Sequence, residues 1–402
     1  MENSPYLRIG TNYYKLIDQP LASKDSNRII LPWSKATIKE DHANDIFPKI
    51  PKYDSYCIIP NNMDYQRVHG CNKEIGANGS YNLYEPVMYK PNEGEIDKTL
   101  SFLKHIFGEQ QEIGLDYLTI IYRQPTQMLP ILCLVSFERK TGKTTFLNWL
   151  KLIYGANMTI NTDEDFRNNF NSGWASKLIV GGEEISLNRK EDIEKLKNLS
   201  TSRSIKSEAK GKDKIECEFF GKFILCSNNE EDFIKIEPDE IRFWIRKIPL
   251  IENEIPDFDK DFLQKEIPAF LFFLGKRKIN SERLTRMWFT REQIYTEALQ
   301  KVINKSTSRL EREIKNIIQE ELVIFDLEEL QLTPKDMVQR LNENNFRASS
   351  TQVIEVFKKW NKEPSEKSVR YNSYSIDLIN GVKEIYKRVG RCYSFQKNEF
   401  QK

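Results

Sequence analysis

Thr141-Gly142-Lys143-Thr144-Thr145 places a glycine, a lysine and hydroxyls in the order that phosphate binding needs. Backbone N–H groups at a helix N-terminus favour an anion. Lys143 would reach the β- and γ-phosphates of a nucleotide, and the Thr144 hydroxyl would complete a Mg²⁺ shell. The full pattern, G-x-x-x-x-G-K-[ST], has its first glycine where this chain has Phe137.

Four further groups lie downstream. Glu183-Glu184 ends the apolar run Lys177-Leu-Ile-Val-Gly-Gly. One carboxylate would support the metal and the other would polarise an attacking water. Alone, such a pair reads as a solvated turn; downstream of a phosphate loop it reads as nucleotide chemistry. Asn228 ends the run Lys222-Phe-Ile-Leu-Cys-Ser and is either a γ-phosphate sensor or a simple turn residue. Arg242-Phe-Trp-Ile-Arg246 follows a Pro-Asp-Glu turn and carries arginines at its start and on its own face, for which a surface ion pair is the plain alternative. Between the acids and the asparagine, Ser204 to Phe219 alternates polar and apolar residues around Lys210-Gly211-Lys212. That pattern predicts a hairpin with a basic tip, and Lys206, Lys210 and Lys212 become candidates for contact with a phosphate backbone.

These residues need elements to position them. The apolar run Ile131 to Val135 reads as a buried strand, and Phe146 to Tyr154 as a helix stopped by Gly155. Residues 130 to about 250 alternate strands and helices, as an α/β core requires. Ile96, Leu100, Phe102, Leu103 and Ile106 make one helical face, and Leu115 to Tyr122 a second helix ending before Pro125. The first 92 residues, rich in Tyr, Asn and Pro, contain strand-like pieces at Tyr13 to Ile17 and Arg28 to Pro32 but no assignable chemistry. Beyond Pro256 the chain is mainly helical, through Phe262 to Leu274 and a charged run from Thr290 to Leu322. Thr333 to Asn342 and Ser350 to Trp360 read as two helices of a winged-helix-like unit, with Lys367 to Tyr374 and Tyr386 to Phe395 as its wing. Lys358, Lys359, Arg370, Lys387, Arg388 and Arg391 concentrate charge there, suited either to duplex DNA or to a protein partner. The expected divisions are an N-terminal region (1–92), a helical oligomerisation domain (93–128), a P-loop core (129–280) and a helical, winged-helix-like C-terminal domain (281–402).

Composition sets limits. With 61 Lys+Arg against 59 Asp+Glu the net charge is only +2, so nucleic-acid contact must come from local basic patches. Six scattered cysteines and three histidines (His42, His69, His105), none at ligand spacing, suggest reduced core thiols and no histidine-based metal or acid–base site. Met-Glu-Asn-Ser-Pro lacks the features of a leader, and no apolar run reaches the roughly 18 residues of a membrane span. A cytoplasmic protein, in a bacterial host cell, is the expectation.

Over about residues 95 to 250 the order of motifs resembles the superfamily 3 helicases, ring-forming members of the AAA+ class from virus, phage and plasmid replication, and in particular the helicase half of phage-type primase-helicases. The resemblance implies ATP and Mg²⁺ as cofactors, bound by Thr141, Gly142, Lys143, Thr144 and Thr145, with Thr144 and Glu183 at the metal. It implies catalytic roles for Glu183, Glu184 and Asn228, and it makes Arg242 a finger that completes the neighbouring subunit's site. Lys206, Lys210 and Lys212 would lie on a hairpin that grips single-stranded DNA in the channel of a homo-hexamer. Single-stranded or forked DNA is the expected partner, with priming left to a separate primase or polymerase. A loader, initiator or defence NTPase switched by ATP is the alternative on the same scaffold. A non-catalytic DNA-binding protein is the alternative from another class.

Overall fold

Five apolar residues in succession, Ile131–Val135, suit a strand covered on both faces rather than one half in water. The computed structural model describes residues 4–20, 26–62, 79–85, 87–168, 171, 173–187, 189–207, 215–236, 240–251, 263–376 and 383–400. In it this run lies inside a five-stranded sheet in the order Phe243–Lys247, Ile131–Val135, Lys222–Ser227, Ile179–Gly182, Met158–Asn161. Every neighbouring pair is parallel. Parallel pairing sends all strand ends to one edge. The register Ser227↔Val135 and Leu225↔Gly182 therefore brings the segments after Val135, Gly182 and Ser227 together, although they are distant in sequence. The chain divides into two compact units, Met1–Val302 and Ile303–Lys402, and the boundary falls within the helix Glu297–Ile324.

In the first unit, helix Lys143–Tyr154 follows the Ile131–Val135 strand and buries Phe146, Leu147, Trp149 and Leu150. Each such side chain contributes about 1.5–3 kcal/mol by leaving water. The helices Asp97–Phe107 and Gln111–Arg123 join the same core. Phe107 stacks on Trp244 at a centroid distance of 5.4 Å, and buried Arg246 reaches across to pair with Glu109. The arginine on the face of the Phe243–Lys247 strand thus fastens helix to sheet. The anticipated hairpin is present as Ser204–Ser207 antiparallel to Ile215–Glu218; Lys210 and Lys212 lie outside the described residues. Ahead of this core, Tyr6–Ile9, Asn12–Pro20 and Ser26–Trp33 form an antiparallel meander, extended by a parallel pairing of Tyr6–Ile9 with Lys52–Tyr53.

The second unit packs helices Pro334–Glu343 and Ser350–Lys359 around Leu330, Met337, Leu341, Val353, Phe357 and Phe395. Both begin with a capping box, at Thr333 with Asp336 and at Ser349 with Gln352. The strand pair expected as a wing needs correction. Val369–Ile376 pairs with Lys383–Gly390, whereas Tyr393–Gln396 leaves to pair with Glu329–Leu332. Tyr393 and Phe395 alternate into the core on that second strand, which rewards the separate pairing. The basic concentration is also partly neutralised. Arg388 is bound to buried Asp336, and Lys359 meets Glu311 at 2.5 Å. Among the described residues no helix is long and apolar enough to cross a membrane.

Candidate nucleotide site

The turn from Val135 into helix Lys143–Tyr154 borders a cleft of about 420 Å³, which Glu183, Glu184, Cys226 and Asn228 close from the other side. Gly142 caps the helix with φ 85°, a left-handed conformation that favours glycine. A β-carbon there would also stand 3.2 Å from the Phe102 ring, a tight contact that adds to the conformational preference for glycine. Lys140 is left-handed as well, at φ 59°, which bends the loop tightly before the helix. Phe137 is not among the left-handed residues; its ring is exposed and its backbone N–H donates to Glu230 Oε1 at 3.1 Å. The missing first glycine therefore costs this turn nothing.

Lys143 is buried, and its ammonium donates to Thr141 Oγ1 at 3.1 Å and to the carbonyls of Ser136 and Glu138, each at 3.4 Å. Burial lowers its pKa from the usual lysine value, against the pull of nearby Glu230 and Glu138. A phosphate arriving here would supply the counter-charge that the loop carbonyls provide only in part. The Thr144 hydroxyl donates to Glu183 Oε1 at 2.6 Å. Glu184 follows in a left-handed conformation, φ 54°, and its Oε1 accepts from Asn228 Nδ2 at 3.3 Å. A left-handed non-glycine residue stores strain of order 1–3 kcal/mol.

The structure thus brings together Thr141, Gly142, Lys143, Thr144, Thr145, Glu183, Glu184 and Asn228 in one cleft. Arg242 does not join them. The register Phe243↔Ile131 places it before the strands begin, at the sheet edge opposite the Thr141 to Thr145 loop. Five strand residues at about 3.3 Å each separate the two edges by about 16 Å, beyond the reach of its side chain. Its Nη1 pairs with buried Glu240 at 2.7 Å. Lys206 lies exposed on the hairpin, outside the cleft.

Two supporting residues escaped sequence reasoning. His105 Nε2 contacts the Thr141 carbonyl at 3.0 Å and braces the loop from helix Asp97–Phe107. Glu230, which holds the Phe137 N–H, is itself held by Lys247 at 2.9 Å. Neither carries a local signal, because each meets the loop through tertiary packing. Thr144 and Glu183 together suit Mg²⁺, a hard cation that keeps several waters and binds with substrate phosphates rather than in an all-protein cage. Among the described residues no group of three or more His, Cys, Asp or Glu could hold a metal by itself.

Residues 134–243 match the model of a family of unknown function, DUF5906. All the candidate catalytic residues fall within that span. No curated protein matches the chain significantly. Among solved structures, the chain is similar to the apo NrS-1 C-terminal region, with a TM-score of 0.56 and 15% identity over 94% of this chain and 96% of that one. The A form of the same region gives 0.56 at 17% identity, covering 85% and 82%. At such identities the likeness shows a shared fold.

Proposed function

We propose that this chain is an ATP-driven DNA helicase of a phage, plasmid or other mobile element, working as a ring, as the resemblance to superfamily 3 implies. The observation that carries the proposal is the convergence of Lys143, the Thr144–Glu183 pair and the Glu184–Asn228 pair on one cleft at the ends of parallel strands. In this reading the loop N–H groups and Lys143 hold the nucleotide phosphates. Thr144 and Glu183 would hold Mg²⁺, which when bound offsets charge on the phosphate oxygens. Glu184 takes the proton of the attacking water, and Asn228 keeps its carboxylate aimed. Lys206, with Lys210 and Lys212, would pass the consequence of hydrolysis to a single strand.

Arg242 supports the ring. It lies too far from its own phosphate loop to assist there, so any catalytic role it has must be exercised on a neighbour. A homo-hexamer, with priming supplied by a separate protein, is the assembly this reading implies.

The test combines an ATPase assay, with and without single-stranded DNA, and unwinding of a forked duplex. DNA-stimulated hydrolysis with strand separation supports the motor. Stimulated hydrolysis without unwinding would replace it with an ATP-switched loader or initiator, and absence of hydrolysis would leave a nucleic-acid binder.

A further inference from the structure

A second cleft, of about 430 Å³, opens at the sheet edge opposite the phosphate loop. Its walls come from the segments that precede two central strands, Gln124 to Met128 before Ile131–Val135 and Glu218 to Gly221 before Lys222–Ser227. Arg203, Arg283 and Arg286 line it and are exposed, against one lining acid, Glu218. Among the described residues none of the three guanidiniums has an ion pair or a hydrogen bond; only the backbone carbonyls of Arg203 and Arg286 are engaged. What sets them apart is that three unpaired guanidiniums share one cleft. Elsewhere in this unit Arg246, Arg277 and Arg28 are each held by carboxylates.

The cleft is braced. Lys222, buried beneath it, donates to the carbonyls of Pro125 and Phe220 and ties its two walls together. Gln127 Nε2 donates to the carbonyls of Met128 at 2.7 Å and Arg286 at 2.8 Å, which holds the backbone that presents Arg286. Arg203 immediately precedes the hairpin strand Ser204–Ser207, so the cleft continues into the hairpin that exposes Lys206.

We propose that this cleft binds phosphodiester groups of a single nucleic-acid strand, with Arg203, Arg283 and Arg286 as its ligands. Guanidinium forks match phosphate oxygens two at a time, and a cleft whose lining charges are mainly of one sign concentrates the field. Continuity with the hairpin favours a strand over a free nucleotide. The proposal rests on the reading of this chain as a nucleic-acid motor and adds a contact site at the hairpin's base.

The experiment measures binding of a fluorescent oligo-dT by the full chain at salt from 50 to 200 mM, for wild type, Arg283→Ala with Arg286→Ala, and Arg283→Lys with Arg286→Lys. Circular dichroism and melting confirm that the variants are folded. Loss of two phosphate contacts should reduce the slope of log affinity against log salt by about 1.4, so the affinity ratio across that range shrinks about sevenfold. The lysine pair should keep most of the slope. An unchanged slope in the folded alanine variant overturns the site while leaving the motor reading intact, provided wild type binds. If wild type binds no strand at 50 mM, both the motor reading and the site fall. Unchanged strand binding with reduced DNA-free ATPase would overturn the strand in favour of a neighbour's nucleotide as the source of phosphate.

Discussion

Thr144 Oγ1 donates to Glu183 Oε1 at 2.6 Å, joining the first turn of the helix after the phosphate loop to a strand end 39 residues later. This contact sets the side chains proposed to hold Mg²⁺ at the spacing at which two oxygens can share one hydration shell. It also keeps Glu183 turned toward the loop while Glu184, in its left-handed conformation, turns to Asn228. Two adjacent carboxylates thereby acquire different partners.

Thr144→Val keeps the side-chain shape and removes the hydroxyl. Mg²⁺-dependent ATP affinity should fall on the order of 10–100-fold, the range for losing a partner at a metal site. Nucleotide titration with and without Mg²⁺ reads the effect. An unaltered Mg²⁺ dependence would remove Thr144 from the metal.

Glu184→Gln should bind ATP normally and hydrolyse it about 10²–10⁴-fold more slowly, as expected for loss of a general base. Asn228→Ala should slow hydrolysis less, because in the proposed mechanism it orients Glu184 rather than accepting the proton. The two changes together should cost little more than Glu184→Gln alone, since they act through one group. Additive losses would separate Asn228 from Glu184.

Arg242→Ala tests the ring. If Arg242 completes a neighbouring site, hydrolysis should drop on the order of a thousandfold. Mixing this protein with inactive Lys143→Ala should then restore part of the ATPase, because mixed rings pair an intact loop with an intact arginine. Subunit exchange without recovery would confine Arg242 to its bond with Glu240, and a lowered melting temperature would be its main consequence.

Lys222 gives a pH test of the core. Burial lowers its pKa from 10.5 to about 7. Between those values the unfolded chain holds a proton that the folded chain does not, so this residue makes stability rise with pH, by about 1.4 kcal/mol per unit. Below about pH 7 both states are protonated and the penalty is constant. Lys222→Met removes this titration, so the stability difference, wild type minus variant, should increase from pH 7 to pH 10 in denaturant unfolding. A flat difference would mean that the Lys222 pKa changes little on folding.

The parts of this protein legible in its sequence are those written in local backbone and in side-chain period. Gly142 is needed where a left-handed turn meets a helix, Lys143 to Tyr154 follow helical spacing, and the runs ending at Val135, Gly182 and Ser227 are too apolar to face water. From these the strand–loop–helix and the candidate residues of the cleft could be named in advance. Tertiary structure alone decided which strands are neighbours, and hence that Thr144 meets Glu183, that Asn228 meets Glu184, and that Arg242 stands at the far edge. It also sent Tyr393–Gln396 to Glu329–Leu332 instead of to Val369–Ile376, and set His105 beneath the loop. The physical reason is the same in each case. A strand's apolar face specifies that it must be covered, whereas the choice of partner depends on packing summed over residues far apart in the chain, which no local spacing records.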